Sequence, residues 1–200
     1  MKKTILCAIG TRPEVIKMAP VILALRREGW ANVRVLVTAQ HREILDQQLN
    51  YFGIVPDIDL NIMRHNQDLT SLTARLMLKM GDTIKIEKPD AVLVQGDTTT
   101  VMALAVTCFY HKIAVGHIEA GLRTWNIQNP FPEEFNRVVS SRLARWHFTP
   151  TYQSKLNLLE EGINEEYVIH TGNTVIDSLL FTINSQPELP KIVKRDKPLV

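Results

Sequence analysis

Cysteine is scarce in this chain, with 2 in 200 residues. Cys7 lies inside the apolar run Ile5–Ile9 and Cys108 inside Val101–Tyr110, so both read as small buried hydrophobes. Two cysteines make no disulfide framework, and neither has metal-ligand spacing. A dominant charge sign is also missing. The net charge is +2, and no basic run exceeds Lys2-Lys3 or Arg26-Arg27. That balance excludes nucleic acid and a charged membrane surface as expected partners. No apolar run approaches the roughly 20 residues of a membrane span. The amino terminus enters a strand directly, without a long apolar segment and cleavage site. Cytoplasmic is the expected location. Glycine-rich phosphate loops are absent too: Gly10-Thr11-Arg12-Pro13-Glu14 has a single glycine and is neither a Walker loop nor Gly-x-Gly-x-x-Gly. His117-Ile118-Glu119 has the His-x-Glu of zinc deaminases but lacks their Pro-Cys-x-x-Cys partner, so no metal site is expected there.

What is present is an alternation of strands and helices. Apolar residues make up 45% and charged residues 22% of the chain, the balance of an ordinary globular domain. Thr4–Ile9 is a continuous apolar run suited to a strand buried on both faces. Pro13 fits the first turn of a following helix, whose apolar face runs through Val15, Met18, Ile22 and Leu25 before Gly29 ends it. Strands are predicted over 33–37, 91–94, 113–117, 146–148 and 167–170. Helices are predicted over 42–51, 68–87, 98–110, 133–144, 152–161 and 174–183. Residues 53–66 read as loop, and 120–132 as a long loop of the kind that carries function. The alternation predicts an α/β fold built on a doubly wound parallel sheet. After Asn184 the prolines Pro187, Pro190 and Pro198 lie among charged residues, a linker composition. Leu199-Val200 resembles the start of another strand. The expected organisation is a domain over 1–185, then 186–200 as linker and start of a further domain.

Three acids follow predicted strand ends or loops: Asp97, Glu119 and Glu133. In an open α/β sheet such positions line the ligand crevice, so the three are candidates to converge. Each also has a plainer reading. Asp97, taken alone, is more simply an N-cap. Glu133 and Glu134 suit the positive end of a helix dipole. Glu119 precedes Ala-Gly-Leu-Arg, an acid beside a flexible turn and a basic group that could tune it. Arg137 follows Glu133 within about one turn, where it could hold an acid or a phosphate. Arg12 adds a donor fork to a strand-to-helix turn able to take an anion. Lys17, alone, reads as a surface lysine, and His117 as a hydrogen-bonded structural residue.

Together these segments resemble one family. Gly10–Pro20, Thr38-Ala39-Gln40-His41-Arg42, Gly96–Thr100, His117–Thr124, Pro132–Arg137 and Thr171–Asp177 are similar to the motifs of the non-hydrolysing bacterial UDP-N-acetylglucosamine 2-epimerases. The resemblance runs from Lys3 to about Leu180. It implies a GT-B-type architecture of two Rossmann-like domains facing a cleft, of which this chain would be the first. It also implies reversible conversion of UDP-N-acetylglucosamine to UDP-N-acetylmannosamine, an isomerase reaction with no cofactor that supplies cell-surface polysaccharide precursors. The implied catalytic residues are Asp97, Glu119 and Glu133. Arg12, Lys17 and Arg137 are implied on the substrate, and Gln40, His41 and Arg42 are possible contacts to an activating second substrate molecule. The implied partner is a UDP-sugar, and the full-length protein would be a homodimer. A GT-B glycosyltransferase, or a 2-epimerase for a related diacetamido sugar nucleotide, shares the architecture. A chain lacking the second domain is expected to be inactive.

Overall fold

A computed structural model describes residues 2–38, 42–62 and 68–185. The chain alternates β1 (Lys3–Ile9), α1 (Arg12–Glu28), β2 (Ala31–Val37), α2 (Arg42–Tyr51), β3 (Ile58–Asp59), α3 (Leu69–Glu87), β4 (Ala91–Gln95), α4 (Thr99–Tyr110), β5 (Ala114–Ile118), α5 (Glu133–Leu143), β6 (Trp146–Thr149), α6 (Tyr152–Glu160), β7 (Val168–His170) and α7 (Val175–Ser185). A short 3-10 turn, Glu165–Tyr167, precedes β7. All strand pairs are parallel, in the order β3-β2-β1-β4-β5-β6-β7. The order reverses between β1 and β4, where chain connections leave in opposite directions and a crevice opens at the carboxyl ends of the strands.

β1 shows why the sheet is central. Ile5, Cys7 and Ile9 face one layer, with Val15, Met18 and Ile22 of α1 and Leu45 and Leu49 of α2. Leu6 and Ala8 face the other, with Leu76 and Met80 of α3 and Leu104 of α4. Successive strand side chains point to opposite faces, so a strand covered on both sides must be apolar at every position. Both cysteines sit in these layers, and burial pushes each thiol up to about 12. They are small core residues, as expected.

The α/β reading holds, and the predicted elements are all present within a residue or two. One element differs. The segment read as loop over 53–66 contains β3, a two-residue edge strand pairing Leu36 with Ile58 and Val37 with Asp59. Among the described residues no helix is long and apolar enough to cross a membrane. Residues 186–200, expected as linker, lie outside the described residues.

The last helix docks in an unusual way. Thr174, just before α7, donates its Oγ1 hydroxyl to Lys17 O at 2.7 Å, the Ser178 hydroxyl donates to Ile16 O, and the Phe181 ring packs on Tyr51 and Phe52. Its apolar residues Ile176, Leu179, Leu180 and Ile183 face outward.

Candidate active site

The crevice is built from turns after β1, β4, β5 and β7, together with the start of α5. Thr11 is the N-cap of α1 and Arg12 its first residue. Arg12 is exposed at the helix's positive end. Lys17 lies further along α1 and is not a surface lysine. Its Nζ is 2.6 Å from both carboxylate oxygens of Glu119.

Glu119 follows β5 with φ of 62°, a left-handed conformation that costs a non-glycine residue about 1–3 kcal/mol. The surroundings over-determine it. Besides Lys17, Gln95 Nε2 donates to Oε2, and Asn173 Nδ2 donates to Oε1 at 2.9 Å. The carboxylate is therefore aimed by side chains from α1, the end of β4 and the turn after β7. The turn after it is closely packed. Gly121 has φ of 88°, and a Cβ there would lie 2.1 Å from the Ser154 carbonyl oxygen. Its own carbonyl accepts from Asn157 Nδ2 at 2.9 Å. Arg123 is not the cation beside Glu119. Its guanidinium is fully buried and grips Glu161 at 2.6 and 2.9 Å.

Asp97 is not the N-cap of α4. Thr98 takes that position, accepting from the Val101 N–H at 3.4 Å. The Asp97 side chain is left to face Arg137 of α5, whose Nη2 donates to Oδ2. Asn136 Nδ2 donates to the Asp97 carbonyl at 2.9 Å. Burial raises the Asp97 pKa, Arg137 opposes the rise, and the Glu119 and Glu133 carboxylates add to it. Like charges act in this way only at close range. Glu119 and Glu133 thus both lie near enough to bear on Asp97, although Glu119 is 22 positions on from Asp97 and Glu133 a further 14.

Neighbouring glutamates on α5 do different work. Glu133 is part-exposed, whereas Glu134 is buried. Glu134 Oε1 accepts the Thr124 and Trp125 N–H groups at 2.9 and 3.1 Å, and Oε2 lies 3.2 Å from Arg137 Nη1. Glu134 therefore pins the long 120–132 loop and backs Arg137. His117 is structural, as expected: its Nε2 lies 2.7 Å from the Gly96 carbonyl, and burial pulls its pKa down to about 4. Gln40, His41 and the side chain of Arg42 lie outside the described residues.

Sequence reasoning missed Gln95, Asn173 and Glu14. Asn173 lies in a segment of the family resemblance, without a role attached. Thr11-x-x-Glu14 carries a capping-box pattern, which points to Glu14 but not to its longer reach. Its carboxylate accepts the Gly10 and Thr11 N–H groups and the Thr98 hydroxyl.

A doubly wound parallel sheet with polar side chains gathered at its switch point makes this a Rossmann-like domain, and its solved neighbours are of the GT-B type. The family model described as UDP-N-acetylglucosamine 2-epimerase matches residues 23–200, and the chain belongs to that family. The UDP-N-acetylglucosamine 2-epimerase of Neisseria meningitidis serogroup A is 54% identical over 179 residues, covering 90% of this chain and 48% of the relative. That of Campylobacter jejuni is 52% identical over 181 residues, covering 90% and 47%. The crystal structure of the Neisseria meningitidis enzyme bound to UDP-GlcNAc superposes with a TM-score of 0.88 at 53% identity, covering 91% of this chain and 50% of that one. The chain spans about half the length of the curated relatives it matches, and corresponds to their amino-terminal domain.

Proposed function

We propose that residues 1–200 are the first half of an enzyme that interconverts UDP-N-acetylglucosamine and UDP-N-acetylmannosamine at C2. The carrying observation is the convergence of Asp97, Glu119 and Glu133 beside Lys17 and Arg137 at the carboxyl edge of the sheet. Family membership and a relative crystallised with UDP-GlcNAc support the substrate class.

The C2 hydrogen of the sugar has no adjacent carbonyl, so direct abstraction is very unfavourable. Elimination avoids the problem. The C1–O bond to UDP breaks, and UDP departs with the electron pair. C1 gains oxocarbenium character, which acidifies C2–H. A carboxylate takes the C2 proton and the C1–C2 double bond forms, giving UDP and 2-acetamidoglucal. In the return step UDP oxygen bonds to C1 while a carboxylic acid on the other face delivers a proton to C2. This needs an acid or base on each face and negative charge near C1. Asp97, Glu119 and Glu133 supply those groups. Lys17 and Arg137 orient their partner acids and bind the substrate. Arg12, at the amino end of α1, takes the nucleotide side.

The full-length protein works as a cytoplasmic homodimer and supplies precursors of cell-surface polysaccharide. Gln40, His41 and Arg42 are the candidate contacts for an activating second substrate molecule.

The test is epimerisation in heavy water by the full-length protein with nucleotide sugar alone. Product carrying deuterium at C2, formed without an acceptor, is the expected result and separates an epimerase from a glycosyltransferase. Product without C2 deuterium would point to a route that retains the hydrogen and would sink the elimination mechanism.

A further inference from the structure

Glu14 lies on α1, 2% exposed, beneath the crevice. A capping glutamate needs one oxygen, and Oε2 meets that need by accepting the Gly10 N–H and the Thr11 N–H, the latter at 3.2 Å. Oε1 does something else. It accepts the hydroxyl of Thr98 at 2.8 Å, from a loop 84 residues further along the chain. The same hydroxyl accepts the Val101 N–H and caps α4. One continuous chain of hydrogen bonds therefore joins the start of α1 to the start of α4 across the switch point, and Glu14 is its centre. The loops it joins are the one that carries Arg12 and the one that carries Asp97. They touch with no room to spare: a Cβ on Gly10 would lie 2.8 Å from Thr100 Oγ1 and 3.2 Å from Glu14 Oε2. The Gly10 and Thr11 N–H groups engage one oxygen and the Thr98 hydroxyl the other, so the carboxyl group bridges the loops directly.

We propose that Glu14 is a positioning residue which, through Thr98, sets the spacing between the Arg12 loop and the Asp97 loop and so aligns the nucleotide side of the site with its proton-transfer side. This rests on the roles given above to Arg12 and Asp97. Neither Glu14 nor Thr98 need touch substrate. Their effect would appear in the alignment of groups that do, where a shift of about 1 Å can cost on the order of 100-fold in rate.

Two measurements test it. In the 200-residue chain, Thr98→Val should speed amide exchange at Gly10 and Thr11 by about tenfold or more, although Thr98 bonds to neither. Thr98→Ser, which keeps the hydroxyl, should leave that exchange as in the wild type. In the full-length protein, Glu14→Gln and Thr98→Val should each lower kcat about 10–100-fold and leave KM within about threefold. Thr98→Ser should restore kcat. Glu14→Gln with Thr98→Val should fall no further than Glu14→Gln alone, because both break one chain of bonds. Should Glu14→Gln fail to fold, the Thr98 pair carries the test with the carboxylate intact. Unchanged exchange at Gly10 and Thr11 in Thr98→Val overturns the proposal, and so does a wild-type kcat in that variant. A wild-type full-length protein with no epimerase activity would instead sink the proposed function, and the exchange comparison would then decide whether the loops are joined.

Discussion

At the residue scale, burial sets the behaviour of two groups under the crevice in opposite senses. Burial pushes Glu14 from its ordinary 4.5 up to about 7, against the pull of its hydrogen-bond donors. Between those values the folded chain holds a proton that the unfolded chain has lost, so this contribution to stability falls as pH rises from 4.5 to 7. Burial pulls His117 from 6.5 down to about 4 and also lowers His147. Below 6.5 the unfolded chain takes up protons that the folded chain refuses, so the histidine contribution falls as pH falls from 6.5 toward 4. The two slopes oppose each other over most of that window. Glu14→Gln removes one of them, so its melting temperature should climb with pH between 4.5 and 6.5 more steeply than that of the wild type. A flatter profile in the variant, read by thermal melts across pH 4–7.5, would refute the burial argument. The two candidate catalytic glutamates should also separate. Glu119→Gln and Glu133→Gln in the full-length protein should each lower turnover about 10²–10⁴-fold, the usual range for acid–base groups. Glu133→Gln should leave stability nearly unchanged. Glu119→Gln should cost on the order of 1 kcal/mol, because it leaves Lys17 partly buried without its ion-pair partner, a loss softened by the partial exposure of the pair. Turnover assays paired with melting curves check both statements.

At the scale of elements, pattern located the helices but did not say which way α7 faces. Its apolar residues recur at 176, 179, 180 and 183, the spacing of a core-facing stripe. In the structure that stripe faces outward, and the small polar Ser178 is the buried residue. Docking combines hydrogen bonds to the α1 carbonyls of Ile16 and Lys17 with the packing of Phe181 against Tyr51 and Phe52. The usual ranking of truncations should therefore invert. Ser178→Ala should cost about 0.5–1.5 kcal/mol by removing a buried hydrogen bond. Leu179→Ala should stay within about 0.5 kcal/mol, as for a surface position. Denaturant midpoints of the two variants give the comparison directly. β3 escaped the sequence reading for a related reason. Two residues, Ile58 and Asp59, hold no periodicity, and only the free edge of β2 makes them a strand.

At the scale of the whole molecule, the crevice has one wall. The relatives matched by this chain are about twice as long, and under the function proposed above the site would include a second half that these residues do not contain. Ligand sites of this size normally enclose most of the ligand. Residues 1–200 alone should therefore bind UDP-sugar weakly and show no measurable epimerisation, read by product analysis after long incubation. Robust turnover by the purified 200-residue chain would mean that the chemistry lies wholly on this half.

Local sequence was enough for the α/β class, because a strand buried on both faces must be apolar throughout and its neighbouring helices must be amphipathic, and both signals lie within a few residues of each other. It also marked Asp97, Glu119 and Glu133 as candidates, each standing after a strand or at the head of a helix where a crevice residue belongs, and the family resemblance is what attached a role to them. It could not tell a cap from a crevice acid at Asp97, a surface cation from an ion-pair partner at Lys17, or the pinning Glu134 from the open Glu133. The first two distinctions depend on contacts between residues 40 to more than 100 positions apart, Arg137 on Asp97 and Asn173 and Lys17 on Glu119, and the third on how the loop folds back to bring the Thr124 and Trp125 N–H groups onto Glu134. Ionisation and orientation follow from what surrounds a group in space, and here only the stacking order of the strands brings those surroundings together.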